Sequence, residues 1–239
     1  MNLGRVGAAM ALAGALLAPG AAQAAKYRII YTGVLKDWSY DQTGVFGTPD
    51  TFLDGEAFKA TFLLTWPSPG ADYRLSPGSA FAEGGATILG GVPGIVSAQI
   101  TIKNVTKSVS GEWLSFHGRR DSATGDSFSH YADEVALGGP RDVYYGEISM
   151  AVSGKRDLID GLEFANPINY TRQAGDSSGG LILFRGTKSG VVYEYAEATA
   201  LTVNSVTMTA APEPSTWATM IMGFGLIGSA MRRRRATTA

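Results

Sequence analysis

Three groups of residues in this 239-residue chain have types and spacings that could do chemistry. The first is Gly175-Asp176-Ser177-Ser178-Gly179-Gly180, which fits the pattern G-x-S-x-G. A serine nucleophile needs a base within hydrogen-bond reach and a carboxylate to orient that base. His117 could supply the base, and Asp133 or Asp142 the carboxylate. The second group is carboxylates for glycoside cleavage, which works with two carboxyl groups about 5 to 10 Å apart. Glu112, Glu134 and Glu147 could face one groove, whereas Glu194 and Glu197 are three apart on an expected strand and point to opposite faces. The third group is two oxygen-rich loops, Asp37, Asp41, Asp50 and Asp54 in one and Asp121 and Asp126 in the other. Such loops can hold Ca²⁺.

Each group has a plainer reading. A hydrolase elbow needs a strand before the serine and a helix after it, and here a strand follows. The serine stretch resembles the Gly-Asp-Ser-Gly-Gly of chymotrypsin-like proteases, but Ser178 interrupts the Gly-Gly that shapes the oxyanion hole. His117 sits in Ser-Phe-His-Gly, not in that family's Ala-Ala-His. The stretch reads as a flexible loop between strands. His117 and His130 are too few for a zinc site and read as surface or half-buried strand residues. The aspartate spacing matches no EF-hand. No catalytic residue, no metal ligand and no cofactor is therefore expected, with calcium in the loops the one ion left open. Trp38, Tyr40, Tyr73 and Tyr131 lie in or beside loops and could stack on sugar rings.

The elements that would position these residues are strands. Residues 25–35 are rich in Tyr and Ile. Residues 57–66 alternate Phe58, Ala60, Phe62, Leu64 and Trp66 on one face, the mark of a half-buried strand. A polar loop is expected over 37–54 and a proline-rich loop over 67–77. Further strands are expected over 86–89, 96–105, 109–117 with a turn at Ser110-Gly111, 128–137, 143–153 and 180–185. Tyr145, Ile148 and Met150 are core candidates. Residues 191–208 are long enough to bend or to form two strands. A helical turn is expected only near 157–164. About ten short strands with Gly-rich turns read as an all-β antiparallel sandwich, jelly-roll-like in its favoured form and a closed barrel in its alternative.

Composition narrows the class. The chain has no cysteine, so no disulfide holds it. Arg5, an apolar stretch over 6–18 and Ala22-Gln23-Ala24 read as a secretory signal over residues 1–24, cut after Ala24. The 20 basic and 21 acidic residues of the whole chain become 15 and 20 once Arg5, Arg232 to Arg235 and Glu213 are set aside, so the exported part carries about −5. That argues against nucleic acid.

Residues 211–239 are a tail of another kind. Pro212-Glu213-Pro214-Ser215-Thr216-Trp217-Ala218 leads into an uncharged apolar run over 218–231, and Arg232, Arg233, Arg234 and Arg235 follow at once. The indole suits a membrane interface, and the arginines hold their end in the cytoplasm. A helix over 217–231 would be roughly 22 Å long against a hydrocarbon core of about 30 Å, short for a permanent span. The prolines keep the preceding segment extended. Gly223-Phe224-Gly225-Leu226-Ile227-Gly228 matches G-x-G-x-x-G but lacks the strand, helix and acidic residue of a dinucleotide site.

This order of features resembles the PEP-CTERM sorting signal in its PEPxxWA form, over about 28 residues. The resemblance implies export by a Gram-negative bacterium, transient anchoring in the inner membrane, and cleavage by an exosortase, a membrane-embedded transpeptidase-like cysteine enzyme. It also implies release or transfer to the cell surface, and family members are commonly linked with exopolysaccharide and biofilm matrix. Pro212, Glu213, Pro214, Trp217 and Ala218 would be the processing motif, and Arg232 to Arg235 the topology signal. Tyr31-Thr32-Gly33, Gly44-Val45-Phe46-Gly47 and Leu53-x-Gly55-x-x-Phe58 are similar, more weakly, to the opening of ectodomains in that group. The expected whole is a sandwich ectodomain over 25–210 with a structural, adhesive or polysaccharide-binding role and no catalytic activity. The alternative is a secreted glycan hydrolase.

Overall fold

The computed structural model describes residues 24–86, 92–155 and 157–211. The expected signal segment, the sorting motif, its apolar helix and the arginine cluster therefore lie outside the described residues, as does most of the strand expected over 86–89. Among the described residues no helix is long and apolar enough to cross a membrane.

Among the described residues fifteen strands form two antiparallel sheets. The smaller runs in the order β12 (Asn169–Thr171), β15 (Leu201–Ala211), β1 (Ala25–Leu35), β4 (Ala57–Trp66), β7 (Val96–Ile102), β8 (Val105–Val109). The larger runs β3 (Thr51–Phe52), β2 (Tyr40–Asp41), β14 (Val191–Ala198), β13 (Ser177–Lys188), β11 (Asp142–Gly154), β10 (Asp126–Gly139), β9 (Leu114–Arg120), β6 (Ser79–Gly84), β5 (Asp72–Ser76). Period-two patterning explains the strands. In β4 Phe58, Ala60, Phe62 and Leu64 are buried while Lys59 is exposed, and in β7 Val96, Ala98, Ile100 and Ile102 are buried.

The inward faces share one core. Tyr31 and Phe62 of the smaller sheet meet Phe128 and His130 of the larger. The strands cross at an incline. The start of β15 lies over β13, where Leu201 abuts Gly180, and Met208 near its end lies over Arg119 of β9. A bulge makes β15 fit: Thr32 pairs with Ser205 but Gly33 pairs with Val203, so Asn204 is an extra residue. The inward set thereby shifts from Leu201 and Val203 to Val206 and Met208. Gly33 is needed there, because a Cβ on it would stand 2.0 Å from the Thr202 carbonyl oxygen.

Several expectations change. Within the larger sheet β9, β10, β11, β13 and β14 are sequential neighbours in space, a meander in which only β12 leaves for the other sheet. That order is not a jelly roll, and the two separate sheets are not a closed barrel. The polar loop over 37–54 contributes β2 and β3, and the proline-rich loop contains β5. Residues 157–164 form turns with no helix. Residues 191–208 do split, with β14 in one sheet and β15 in the other.

One loop carboxylate fastens the end of this core. Asp41 is fully buried, and its oxygens accept the backbone N–H groups of Gly44 (2.9 Å), Val45 (2.7 Å) and Phe46 (2.7 Å). This places the Phe46 ring against Phe184. Replacing Asp41 by alanine strands three amides, so a loss of roughly 3 kcal/mol is expected in urea unfolding. An unchanged midpoint would mean that the loop holds its shape without the carboxylate.

Candidate functional site

The two histidines stand directly opposite each other on β9 and β10. Both are fully buried, which overturns the surface or half-buried placement expected of them. His117 Nδ1 lies 2.6 Å from His130 Nε2, and His130 Nδ1 lies 2.6 Å from the Tyr31 hydroxyl. Arg119 Nε lies 3.3 Å from His117 Nε2. A guanidinium Nε can only donate. His117 Nε2 is thus an acceptor, its hydrogen sits on Nδ1 and goes to His130 Nε2, and the His130 hydrogen sits on Nδ1 and goes to the Tyr31 oxygen. The reverse order would set an imidazole N–H against the cationic N–H of Arg119. Burial first, then the positive charge of Arg119, holds His130 down at about 3. His117 is held well below 6.5 by burial, by His130 and by Arg119. Arg119 Nη2 donates to the Asn166 carbonyl at 2.5 Å, and burial lowers its pKa to about 10, which leaves it charged at neutral pH.

This chain of contacts takes His117 away from the serine motif. Ser177 shares a hydrogen bond with Ser153 at 2.7 Å, and residues 177–180 are not a loop but the start of β13, paired to residues 150–153. Asp142 accepts the Ser189 N–H at a hairpin tip. Asp133 points to the opposite side of β10 from His130.

The outward face of the larger sheet holds what the sequence reading did not assemble. Three Tyr-x-acid triplets lie there, Tyr131-x-Asp133 on β10, Tyr145-x-Glu147 on β11 and Tyr195-x-Glu197 on β14. In each the tyrosine hydroxyl donates to the carboxylate two residues on, at 3.0 Å for Asp133 and 2.5 Å for Glu147, with Tyr195 to Glu197 alike. The register aligns them. Glu197 faces Leu183, Leu183 faces Glu147 and Glu147 faces Asp133, while Tyr195 faces Arg185 and Arg185 faces Tyr145. Asp133 and Glu147 are therefore direct cross-strand neighbours with Cβ atoms about 5 Å apart. Both carboxyls are raised above the usual carboxylate range, each chiefly by burial and Glu147 further by the charge of Asp133. Tyr145 is pushed up to about 12 by burial and by its bond to Glu147. The aromatic surface continues as Tyr131 stacked on Phe116 at 5.2 Å, with Phe81 beside Phe116. Next to Tyr145 is a groove of about 540 Å³ lined by Val143, Tyr145, Leu183, Arg185 and Thr187. The face offers ring surfaces, hydrogen-bond acceptors and one cation in a row, the ingredients of polar recognition on an apolar floor.

The remaining predicted residues disperse. Glu134 turns to the other side of β10 from Asp133 and accepts the Ser110 N–H, so it does not join Glu147. Tyr145 leaves the expected core for the outward face, while Ile148 and Met150 are in the core. Glu194 and Glu197 do point apart: Glu194 pairs with Lys107 of the smaller sheet at 2.8 Å and Glu197 joins Tyr195. Asp54 accepts the Ser39 N–H, Asp50 accepts the Tyr40 hydroxyl, and Asp126 accepts N–H groups of Ser122, Leu158 and Ile159. Among the described residues no group of three or more His, Cys, Asp or Glu could hold a metal ion. Trp38 is 82% exposed at a turn, whereas Tyr131 sits mid-strand. The signal that could have revealed the outward face is the thrice-repeated Tyr-x-acid spacing, which puts ring and carboxylate on one side of a strand.

Residues 210–235 match the family described as a PEP-CTERM protein-sorting motif. The match spans Pro212, Glu213, Pro214, Trp217, Ala218 and the four arginines, and it marks an exported protein that associates with a membrane and is processed by an exosortase. No curated protein and no solved structure matches the chain.

The buried histidines generate a pH prediction. Folded, they stay neutral to well below 6.5; unfolded, they titrate near 6.5. Between 6.5 and about 3 the unfolded chain binds more protons, so their contribution is full above 6.5 and is lost as the pH falls. The expected slope is about 1.4 kcal/mol per pH unit per histidine. Nitrogen-15 NMR at pH 5 should show both rings neutral with the hydrogen on Nδ1. A charged ring, or one with its hydrogen on Nε2, would contradict the assigned direction.

Proposed function

We infer that this is a non-catalytic envelope or matrix protein of a Gram-negative bacterium, sorted by its tail to the cell surface or medium, which binds polysaccharide on the outward face of its nine-stranded sheet. The observation that carries the reading is that Tyr131, Tyr145 and Tyr195 share this face, each hydrogen-bonded to a carboxylate on its own strand, with Tyr145 and Tyr195 flanking Arg185 and Tyr131 beyond the Asp133–Glu147 pair. Locked rings lose little rotamer freedom on binding, and their faces complement the C–H faces of sugars. Glu197, the most open of the three carboxylates, accepts sugar hydroxyls and the exposed Arg185 donates.

The adjacent pair Asp133 and Glu147 favours the second reading, a glycan hydrolase, because retaining enzymes use carboxyls about 5 Å apart. Against it, Asp133 is 3% exposed, with one oxygen on the Leu114 N–H at 2.5 Å and the other on the Tyr131 hydroxyl. A two-carboxylate mechanism needs both groups open to substrate.

Co-sedimentation with the host's exopolysaccharide tests both readings when paired with an assay for new reducing ends. Retention without reducing ends is expected. Tyr145→Ala and Tyr195→Ala should each weaken retention about tenfold, in line with roughly 1 to 1.5 kcal/mol per aromatic contact. Leu75→Ala, on the far edge strand β5, should leave it unchanged. Reducing ends that disappear in Glu147→Gln would establish the hydrolase, and retention indifferent to both tyrosines would remove the outward face as the binding site.

A further inference from the structure

The last strand and the sorting motif are contiguous. β15 is paired to β1 through Ala211, whose partner is Lys26, and the motif begins at Pro212. The family match starts at residue 210, so its first two residues are already in the sheet. Five residues lie between Ala211 and Trp217, at most about 20 Å of extended chain from one Cα to the other. An enzyme embedded in the membrane must admit extended chain on both sides of the bond it cuts. With the sandwich folded to Ala211, the chain directly ahead of Pro212 is held in the smaller sheet.

The hold on this end is one-sided. β12 pairs only with Ser205 to Thr207, and the Ile168 carbonyl takes the Met208 N–H. Beyond Met208, among the described residues, the strand Thr209, Ala210, Ala211 is paired to β1 alone, through Arg28, Tyr27 and Lys26. Thr209 and Ala210 are exposed. Terminal pairs with one neighbour and little burial open at the lowest free energies in a fold. The same pairs bear on the other end of the exported chain, because β1 starts at Ala25, directly after the expected leader junction.

We propose that the fold gates its own processing: the exosortase-type enzyme takes the chain only when residues 209–211 of β15 peel from residues 26–28 of β1. This rests on the sorting reading of the tail. Opening exposes three further residues of extended chain ahead of Pro212 while the rest of the sandwich stays folded. The rate of sorting then follows the stability of this ladder end, and a chain that has not completed β1–β15 pairing presents its junction without restraint.

A crosslink tests it. The chain has no cysteine, so Lys26→Cys with Ala211→Cys introduces one possible disulfide, between directly paired residues within disulfide reach. Full-length precursor is incubated with host membranes, and loss of the arginine-bearing tail is followed by mass. The oxidised double variant should be processed at least tenfold more slowly than the same protein after reduction. A ten-residue Gly-Ser spacer inserted between Ala211 and Pro212 should restore processing of the oxidised form. Equal rates for oxidised and reduced protein would overturn the gate. So would a spacer that fails to rescue while reduction does, because the crosslink would then act away from the junction. Failure of the unmodified chain to be processed at all would instead remove the sorting reading, and this inference with it.

Discussion

The ladder between β1 and β15 is the constraint on which the rest of the structure depends. It joins residues 26–35 to 201–211, the widest sequence separation in the fold. Closing so long a loop has an entropic cost that only the completed core offsets. β1 delivers Tyr31 to the His130 ring and β15 delivers Met208 to Arg119. The bulge at Asn204 turns both halves of β15 inward, so one strand serves the core over β13 and over β9. The ladder also brings the first and last residues of the ectodomain to one end.

The core is held without disulfides. In their place it contains a directional polar chain from Arg119 through His117 and His130 to Tyr31. A buried cation whose described partners are a carbonyl, an imidazole and a thioether is a costly choice, and Arg119 Nη1 has no hydrogen-bond partner among the described residues. A neutral imidazole pair with one allowed hydrogen direction admits one register of β9 against β10, because a one-residue slip of either strand would carry its ring to the outward face and break the pair. That face is then free to present the three tyrosine–carboxylate triplets.

Much of this was legible in the chain, and the limits have physical causes. Tyr and Ile content located β1, and alternation located β4 and β7 because each buries one face only. The tail was readable because charge, indole, apolar run and proline act locally. His117 and His130 looked isolated because they are thirteen positions apart, and only the β9–β10 register brings their rings together. Tyr145 looked like core because period two says that a residue faces one side, and cannot say which side is covered. The jelly-roll expectation failed for a related reason: strand spacing does not record which sheet a strand joins. The Tyr-x-acid triplets were visible as spacing, and their alignment into one face required the pairing of β10, β11, β13 and β14.

An exported domain with both of its junctions at one end of one ladder should leave the cell cut at both. The direct measurement is the intact mass of the protein recovered from its host's surface fraction or medium. The account predicts a chain that starts at Ala25 and ends close to Pro212 to Pro214. A chain that still carries Arg232 to Arg235 would contradict it, and would make the tail an ordinary membrane anchor.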